Sequence, residues 1–298
     1  MPIHPDIKPI LEARGAGRVS DQSVADARAG HAAGSAARPS GPTMVEVSDT
    51  EISDVAVRIY RPTDATGAGV IFFHGGGWVL GSVDTHDQQC RLLADTSGAT
   101  LISVDYRLAP EHQFPAAFDD SAAVTNAVLA DGDRFGIDSQ RLAVAGDSAG
   151  GNLAAATAID NRSSTHPLKA QLLIYPAVDA TMASPSYLEN ADGPFLSGAE
   201  MAWFYRLYQG EHSPQDWRLS PCFAADLSNL PPALVITAEF DPLRDEGEAY
   251  ADALADAGCR ASAVRYAGVC HGFFGWSHAV EPSLQAVNQA GNWLRQEL

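Results

Sequence analysis

The 298-residue sequence predicts an α/β fold with a mostly parallel central sheet flanked by helices. Two observations support this prediction. Short, continuous apolar runs recur along the chain, which is typical of strands buried on both faces of a parallel sheet. Helical patterns lie between these runs, so strand and helix alternate as they do where helices cover a sheet on both sides.

The distribution of apolar residues along the chain predicts where the strands lie. Apolar and polar residues alternate at 54–60, which indicates a half-buried strand. Continuous apolar runs predict buried strands at 70–73, 101–104, 142–146, 172–175 and 233–237, with a further strand-like stretch at 261–268. Helices are predicted at 116–130, 149–161 and 245–257.

Two segments do not follow this alternation. The first 42 residues contain two helical patterns and end at a turn-rich stretch that includes Gly41 and Pro42. Residues 181–217 contain a helix crowded with aromatic side chains, and two interpretations of that helix remain open. It is either a surface helix with a broad core-facing stripe, or part of a lid that lines a pocket together with the N-terminal helices.

The charge and the cysteine pattern narrow the class of protein. The formal net charge of −18, from 37 acidic and 19 basic residues, disfavours nucleic acid and anionic membranes as partners. The four cysteines form no CxxC pair, so we expect free thiols in a reducing compartment. We find no signal-peptide core and no apolar run of roughly 20 residues, and therefore predict a cytoplasmic protein.

Three consecutive glycines, Gly75, Gly76 and Gly77, follow His74 at the end of the 70–73 strand. Glycine is the costliest residue to order, so this run requires a structural reason. A phosphate loop would need a lysine and a hydroxyl residue, and a dinucleotide site would need the spacing GxGxxG; both are absent here. The backbone N–H groups are therefore expected to bind an anion other than phosphate.

Ser148 lies in the sequence Gly-Asp-Ser-Ala-Gly, between a predicted strand and a predicted helix. This is the GxSxG pattern in the strand-to-helix context that places a serine hydroxyl at the carboxyl edge of a sheet. A serine becomes a nucleophile when a base accepts its proton and a third group orients that base. In chain order, Asp241 after the 233–237 strand and His271 after the 261–268 stretch meet these needs.

Other titratable residues near these positions are given different roles. Glu239 and Asp245 lie near the acid position, and Asp245 is predicted to cap the following helix. His278 is placed on a surface segment, Asp147 is interpreted as a structural hydrogen-bonding residue, and His74 is expected to orient the glycine loop.

Five motifs in order resemble the hormone-sensitive lipase family of carboxylesterases, lipase family IV in bacteria, and its GDSAG branch. They are HGGGW, SVDYRLAPEHQFPAAFDD, GDSAGGN, DPLRDEGEAYADAL and HGF. The resemblance extends from about Val57 to His271 and implies an α/β-hydrolase fold with a helical cap. The implied division places the cap in 1–42 and 181–217, and the catalytic core in 43–180 and 218–298.

The resemblance also implies roles for individual residues. It implies a catalytic triad of Ser148, Asp241 and His271, oxyanion donors from the backbone of Gly76, Gly77 and Ala149, and a loop shaped by Gly75. We assign four aromatic residues to the substrate pocket: Trp78, Trp203, Phe204 and Phe273.

The implied function is cofactor-free and metal-free hydrolysis of short- to medium-chain acyl esters through an acyl-serine. Because the base must be neutral, activity is expected to fall below a pH of roughly 6.5. Two alternatives stay open: an arylformamidase, which uses the same triad, and a non-catalytic small-molecule binder. The related plant gibberellin receptors have lost the catalytic histidine, whereas His271 is present here. The resemblance also allows a homodimer.

Overall fold

The computed structural model describes residues 2–15 and 17–298, and it contains one eight-stranded sheet. The strands are β1 (Glu46–Ile52), β2 (Val55–Arg61), β3 (Gly69–Phe73), β4 (Thr100–Val104), β5 (Leu142–Asp147), β6 (Ala170–Ile174), β7 (Ala233–Phe240) and β8 (Ala261–Cys270). Their order in the sheet is β1-β2-β4-β3-β5-β6-β7-β8. The pairs β1–β2 and β2–β4 are antiparallel, and the other five are parallel. The predicted mostly parallel sheet is confirmed.

Helices cover both faces of this sheet. The α-helices are α1 (Lys8–Arg14), α2 (Val24–Ala36), α3 (Asp87–Ser97), α4 (Ala116–Ala130), α5 (Ala149–Asp160), α6 (Pro185–Glu189), α7 (Gly198–Tyr208), α8 (Arg244–Asp256) and α9 (Glu281–Glu297). No helix within the described ranges has both the length and the apolar character to cross a bilayer.

Alternate residues of the central strands supply two separate cores. In β3, Ile71 and Phe73 belong to a cluster that includes buried side chains of α4, α5 and α8. Val70 and Phe72 belong to a second cluster with side chains of α3 and α9. All residues of β3 to β6 are buried, as the continuous apolar runs predict, because both faces of these strands are covered.

The N-terminal segment contacts the segment that contains α7. Glu200, in the first turn of α7, accepts hydrogen bonds from the Arg14 side chain at 2.6 Å and from the Val19 N–H at 3.1 Å. Its other oxygen closes a capping box with Ser197 at the start of α7. The side chain of Glu200 is almost fully buried, so these partners offset the cost of removing its charge from water.

Candidate active site

Ser148 lies at the sharp turn between β5 and α5. Its backbone angles, φ 58° and ψ −118°, lie in a region that non-glycine residues rarely adopt. Flanking glycines make this turn feasible: a Cβ on Gly150 would lie 1.9 Å from the Phe73 carbonyl oxygen. A Cβ on Gly146 would lie 2.2 Å from the Gly150 carbonyl oxygen. The strained turn therefore depends on glycine at both positions.

The structure brings Ser148, His271 and Asp241 into one chain of hydrogen bonds. His271 Nε2 lies 2.9 Å from Ser148 Oγ, and His271 Nδ1 lies 2.7 Å from Asp241 Oδ2. With its Nδ1–H donated to the carboxylate, the imidazole presents the lone pair of Nε2 to the serine hydroxyl. This arrangement can remove the hydroxyl proton as the oxygen attacks a carbonyl carbon.

Asp241 is held in place by the loop that follows β7. Its side chain is fully buried, and its second carboxylate oxygen accepts the Leu243 N–H at 2.9 Å. The side-chain amide of Asn190 donates to the Asp241 carbonyl oxygen at 3.3 Å. On the other side, the Tyr175 ring lies 4.5 Å from the His271 ring, centroid to centroid. These contacts limit the orientations available to the carboxylate and the imidazole.

The glycine loop, formed by Gly75, Gly76 and Gly77, leaves two of its backbone N–H groups without a hydrogen-bond acceptor in the described part of the chain. Gly76 and Gly77 have φ values of +120° and +61°, which favour glycine. The N–H of Gly75 is already donated to Asp147 Oδ1 at 2.9 Å. Within residues 2–15 and 17–298, the N–H groups of Gly76, Gly77 and Ala149 have no hydrogen-bond acceptor. They are therefore available to an external anion.

His74 is a buried, neutral residue at the base of this loop. Its Nδ1 lies 2.8 Å from the Gly75 carbonyl oxygen, and its ring stacks on Tyr106 with centroids 4.3 Å apart. The Tyr106 hydroxyl donates to the His74 carbonyl oxygen at 2.6 Å. Burial, followed by the nearby His86, lowers the pKa of His74 to about 3. These contacts support the expectation that His74 orients the loop.

The other titratable residues near the predicted acid and base make no hydrogen bond with the side chains of Ser148, His271 or Asp241. Glu239 accepts the N–H of Gly268 at 2.6 Å, and His278 is exposed. The expectation that Asp245 caps α8 is wrong, since the helix begins at Arg244 and the N-cap residue is Leu243. Asp245 instead accepts a hydrogen bond from Arg244 at 2.7 Å.

The four aromatic residues assigned to a pocket fall in two places. Trp78, Trp203 and Phe204 belong to the cluster on the α5 side of the sheet. Phe204 lies directly over the loop, because a Cβ on Gly77 would be 2.2 Å from its ring. Phe273 is fully buried in the opposite cluster, where it packs on Tyr175 and Tyr266. A pocket role for all four remains a prediction, and Phe273 lies apart from the other three.

Sequence reasoning missed three polar residues around the site. Asn190 contacts the Asp241 backbone, and the side chains of His86 and Gln89 contact Asp147. None of them belongs to a catalytic pattern, so no sequence signal points to them. In the described part of the chain, no group of three or more His, Cys, Asp or Glu side chains could hold a metal ion.

Comparison with known proteins places this arrangement in a family. The family model described as the α/β-hydrolase fold matches residues 70–275. The chain belongs to this family. The esterase LipI of Mycobacterium tuberculosis is 41% identical over 249 residues, covering 81% of this chain and 78% of that protein. The ethyl acetate hydrolase of Pseudomonas putida is 36% identical over 274 residues, covering 89% and 86%.

Solved structures give the same result. A hyperthermophilic esterase from Pyrobaculum calidifontis superposes with a TM-score of 0.91 at 45% identity, and 99% of each chain is covered. The predicted fold and the predicted resemblance to hormone-sensitive-lipase-type esterases are confirmed. Hydrolysis of carboxylic esters, the predicted reaction class, is confirmed by these relatives; membership of the GDSAG branch stays a prediction.

Proposed function

We propose that this protein is a serine carboxylesterase that uses Ser148 as nucleophile, His271 as general base and Asp241 to orient the base. The observation that carries the proposal is the continuous hydrogen-bond chain, with separations of 2.9 Å and 2.7 Å. Ser148 Oγ attacks the ester carbonyl carbon while His271 Nε2 accepts its proton. The imidazolium then gives this proton to the departing alcohol. Water, activated by the same base, hydrolyses the acyl-serine.

The oxyanion formed in each half-reaction is bound by backbone amides. The N–H groups of Gly76, Gly77 and Ala149 are proposed as donors, and their lack of internal acceptors supports this role. Ala149 is also the first residue of α5, where the helix dipole favours negative charge. One such donor contributes about 2.7–4 kcal/mol to transition-state stabilisation.

We propose that residues 1–42 and 181–217 form a cap over the catalytic core. Contacts between Glu200 and the N-terminal residues Arg14 and Val19 support a joint unit. The position of Phe204 against Gly77 sets aromatic rings beside the proposed oxyanion donors. We infer that this aromatic wall restricts the acyl group, so that the enzyme acts on small esters with short to medium acyl chains.

The test is hydrolysis of p-nitrophenyl esters, from acetate to palmitate, by the wild type and by Ser148→Ala. We expect turnover of the short esters and a loss of several orders of magnitude in the variant. An N-formyl aromatic amide serves as the comparison substrate. Faster turnover of the amide than of every ester would favour the arylformamidase alternative, and folded protein without turnover would favour a binder.

A cytoplasmic location, which the four free cysteines support, and a homodimer, which the family resemblance allows, are further proposals. Cell fractionation measures the first, and light scattering of the purified protein measures the second.

A further inference from the structure

A buried carboxylate connects the nucleophile turn to the glycine loop. Asp147 directly precedes Ser148, and Asp147 Oδ1 accepts the N–H of Gly75 at 2.9 Å. Its other carboxylate oxygen leaves no room for a side chain at Gly75, since an added Cβ would lie 2.4 Å from Oδ2. The carboxylate therefore both hydrogen-bonds Gly75 and requires glycine there, although Asp147 makes no hydrogen bond with the triad side chains.

His86 and Gln89 complete the surroundings of this carboxylate. His86 Nε2 lies 3.3 Å from Asp147 Oδ1, and the side-chain amide of Gln89 donates to the same oxygen at 3.4 Å. His86 Nδ1 lies 2.8 Å from the Thr85 hydroxyl, which fixes the ring from its other side. Burial alone would raise the pKa of Asp147, but His86 and the Gly75 N–H lower it below its ordinary value. Asp147 is thus an ionised buried group whose partners all come from the glycine loop and the segment after it.

We propose that Asp147 and His86 are positioning residues, which hold Gly75 so that the amides of Gly76 and Gly77 remain directed at the oxyanion. This inference rests on the proposed function, in which those amides are the donors. Asp147 is covalently adjacent to Ser148, so its hydrogen bond to Gly75 fixes the loop relative to the nucleophile itself. The N–H of Gly75 is consumed in this bond and cannot serve as a donor.

This role predicts an effect on the transition state rather than on substrate binding. The oxyanion develops only after the serine attacks, so a displaced donor lowers kcat and leaves KM nearly unchanged. A purely structural role would reduce the melting temperature without this separation of kcat from KM. The two roles can therefore be distinguished.

The experiment compares Asp147→Ala, Asp147→Asn and His86→Ala with a matched control, Asp120→Asn. Asp120 is another buried carboxylate, but its hydrogen bonds come from the side chain and the backbone N–H of Arg107, and from no residue of the triad or the glycine loop. The readouts are kcat and KM for p-nitrophenyl acetate, the melting temperature, and the affinity for a trifluoromethyl ketone that adds to serine as an oxyanion.

We expect Asp147→Ala to lower kcat by about 100-fold, the effect of losing one oxyanion donor. KM should change by no more than about 3-fold, and ketone affinity should fall in parallel with kcat. Asp147→Asn retains an oxygen that can accept the Gly75 N–H, so it should recover much of this loss. Asp120→Asn should keep the wild-type kcat, and adding His86→Ala to Asp147→Ala should reduce kcat little further, because both residues act on the same loop.

Wild-type kcat and ketone affinity in Asp147→Ala and His86→Ala would overturn the inference while leaving the proposed triad intact. If the wild type binds the ketone no more tightly than Ser148→Ala does, the proposed function fails instead. Should Asp147→Ala fail to fold, His86→Ala decides the question, since unchanged kcat and unchanged ketone affinity in that variant would also overturn the inference.

Discussion

Gly77→Ala tests the glycine loop most directly, because the structure defines what an added methyl group meets. Its Cβ would lie 2.2 Å from Phe204 Cδ1, whereas ordinary van der Waals contacts begin at 3.4 Å. The overlap, 3.4 − 2.2, is 1.2 Å, so the loop, the Phe204 ring or α7 must move by about that distance. The backbone adds a cost of roughly 1–2 kcal/mol, because alanine is strained at φ +61°.

If the loop moves by this distance, the proposed donor N–H of Gly77 leaves its place. We expect kcat for p-nitrophenyl acetate to fall by about 10²–10³-fold with little change in KM, and the melting temperature to fall as well. Gly77→Ala combined with Phe204→Ala should regain part of the lost stability, because the second substitution removes the overlapping ring. The backbone strain would remain.

The matched control is Gly30→Ala. Gly30 lies inside α2, and no atom is within 4 Å of the added Cβ. This variant should keep the wild-type kcat and gain about 0.5–1 kcal/mol of stability, since alanine is favoured over glycine in a helix. The reasoning would be refuted if Gly77→Ala kept the wild-type kcat, or if both variants lost activity equally.

Three further variants test other parts of the site. Asp241→Asn should lower kcat by about 10⁴-fold, because an amide that donates to His271 Nδ1 leaves Nε2 protonated and unable to act as base; activity near wild type would contradict the orienting role. Gly150→Ala should destabilise the protein by at least about 3 kcal/mol in urea unfolding, because the Phe73 carbonyl 1.9 Å away cannot yield; a loss below about 1 kcal/mol would contradict this. The pKa of His74 is about 3 in the folded protein, below its ordinary value of 6.5. Between these two pH values the unfolded chain binds the proton more strongly than the folded protein does, so acid favours unfolding. The contribution of His74 to stability is complete above pH 6.5 and should fall by roughly 3 kcal/mol at pH 4.5, as measured by unfolding of the wild type against His74→Asn.

The proposed nucleophile and acid could be predicted because Ser148 and Asp241 each lie next to a strand with a strong sequence signal. The strands before the glycine loop, Ser148 and Asp241 are continuous apolar runs, and such runs are buried in the structure as expected. Parallel strands bring their carboxyl ends to one edge of a sheet. The order of the strands and of the residues that follow them therefore predicts that Ser148, Asp241 and His271 lie close together. The distances among Ser148, Asp241 and His271 agree with that prediction.

Elements without such a signal were missed. Strand β1 is exposed along most of its length and carries three acidic residues, so its sequence has no apolar alternation. It forms a strand because it pairs with β2, a tertiary contact that local sequence does not reveal. The role of His86 was missed for the same reason. His86 contacts Asp147 only because the start of α3 packs against that residue, and the two residues lie 61 positions apart in the chain (147 − 86).

Different elements supply the proposed catalytic groups and the aromatic residues expected to contact the substrate. The proposed nucleophile, base, acid and oxyanion donors all come from the ends of β3, β5, β7 and β8, whose positions are fixed by the two buried cores. The aromatic residues near the donors come from α7, which is linked to the N-terminal segment by the buried Glu200 and its partner Arg14. No strand of the sheet lies in α7 or among the described residues of the first 42 positions, so these segments add side chains to the buried cores but no strand to the sheet. The residues proposed for the reaction thus lie in short motifs at strand ends, whereas we expect the choice of ester to depend on packing between two segments that are distant in sequence.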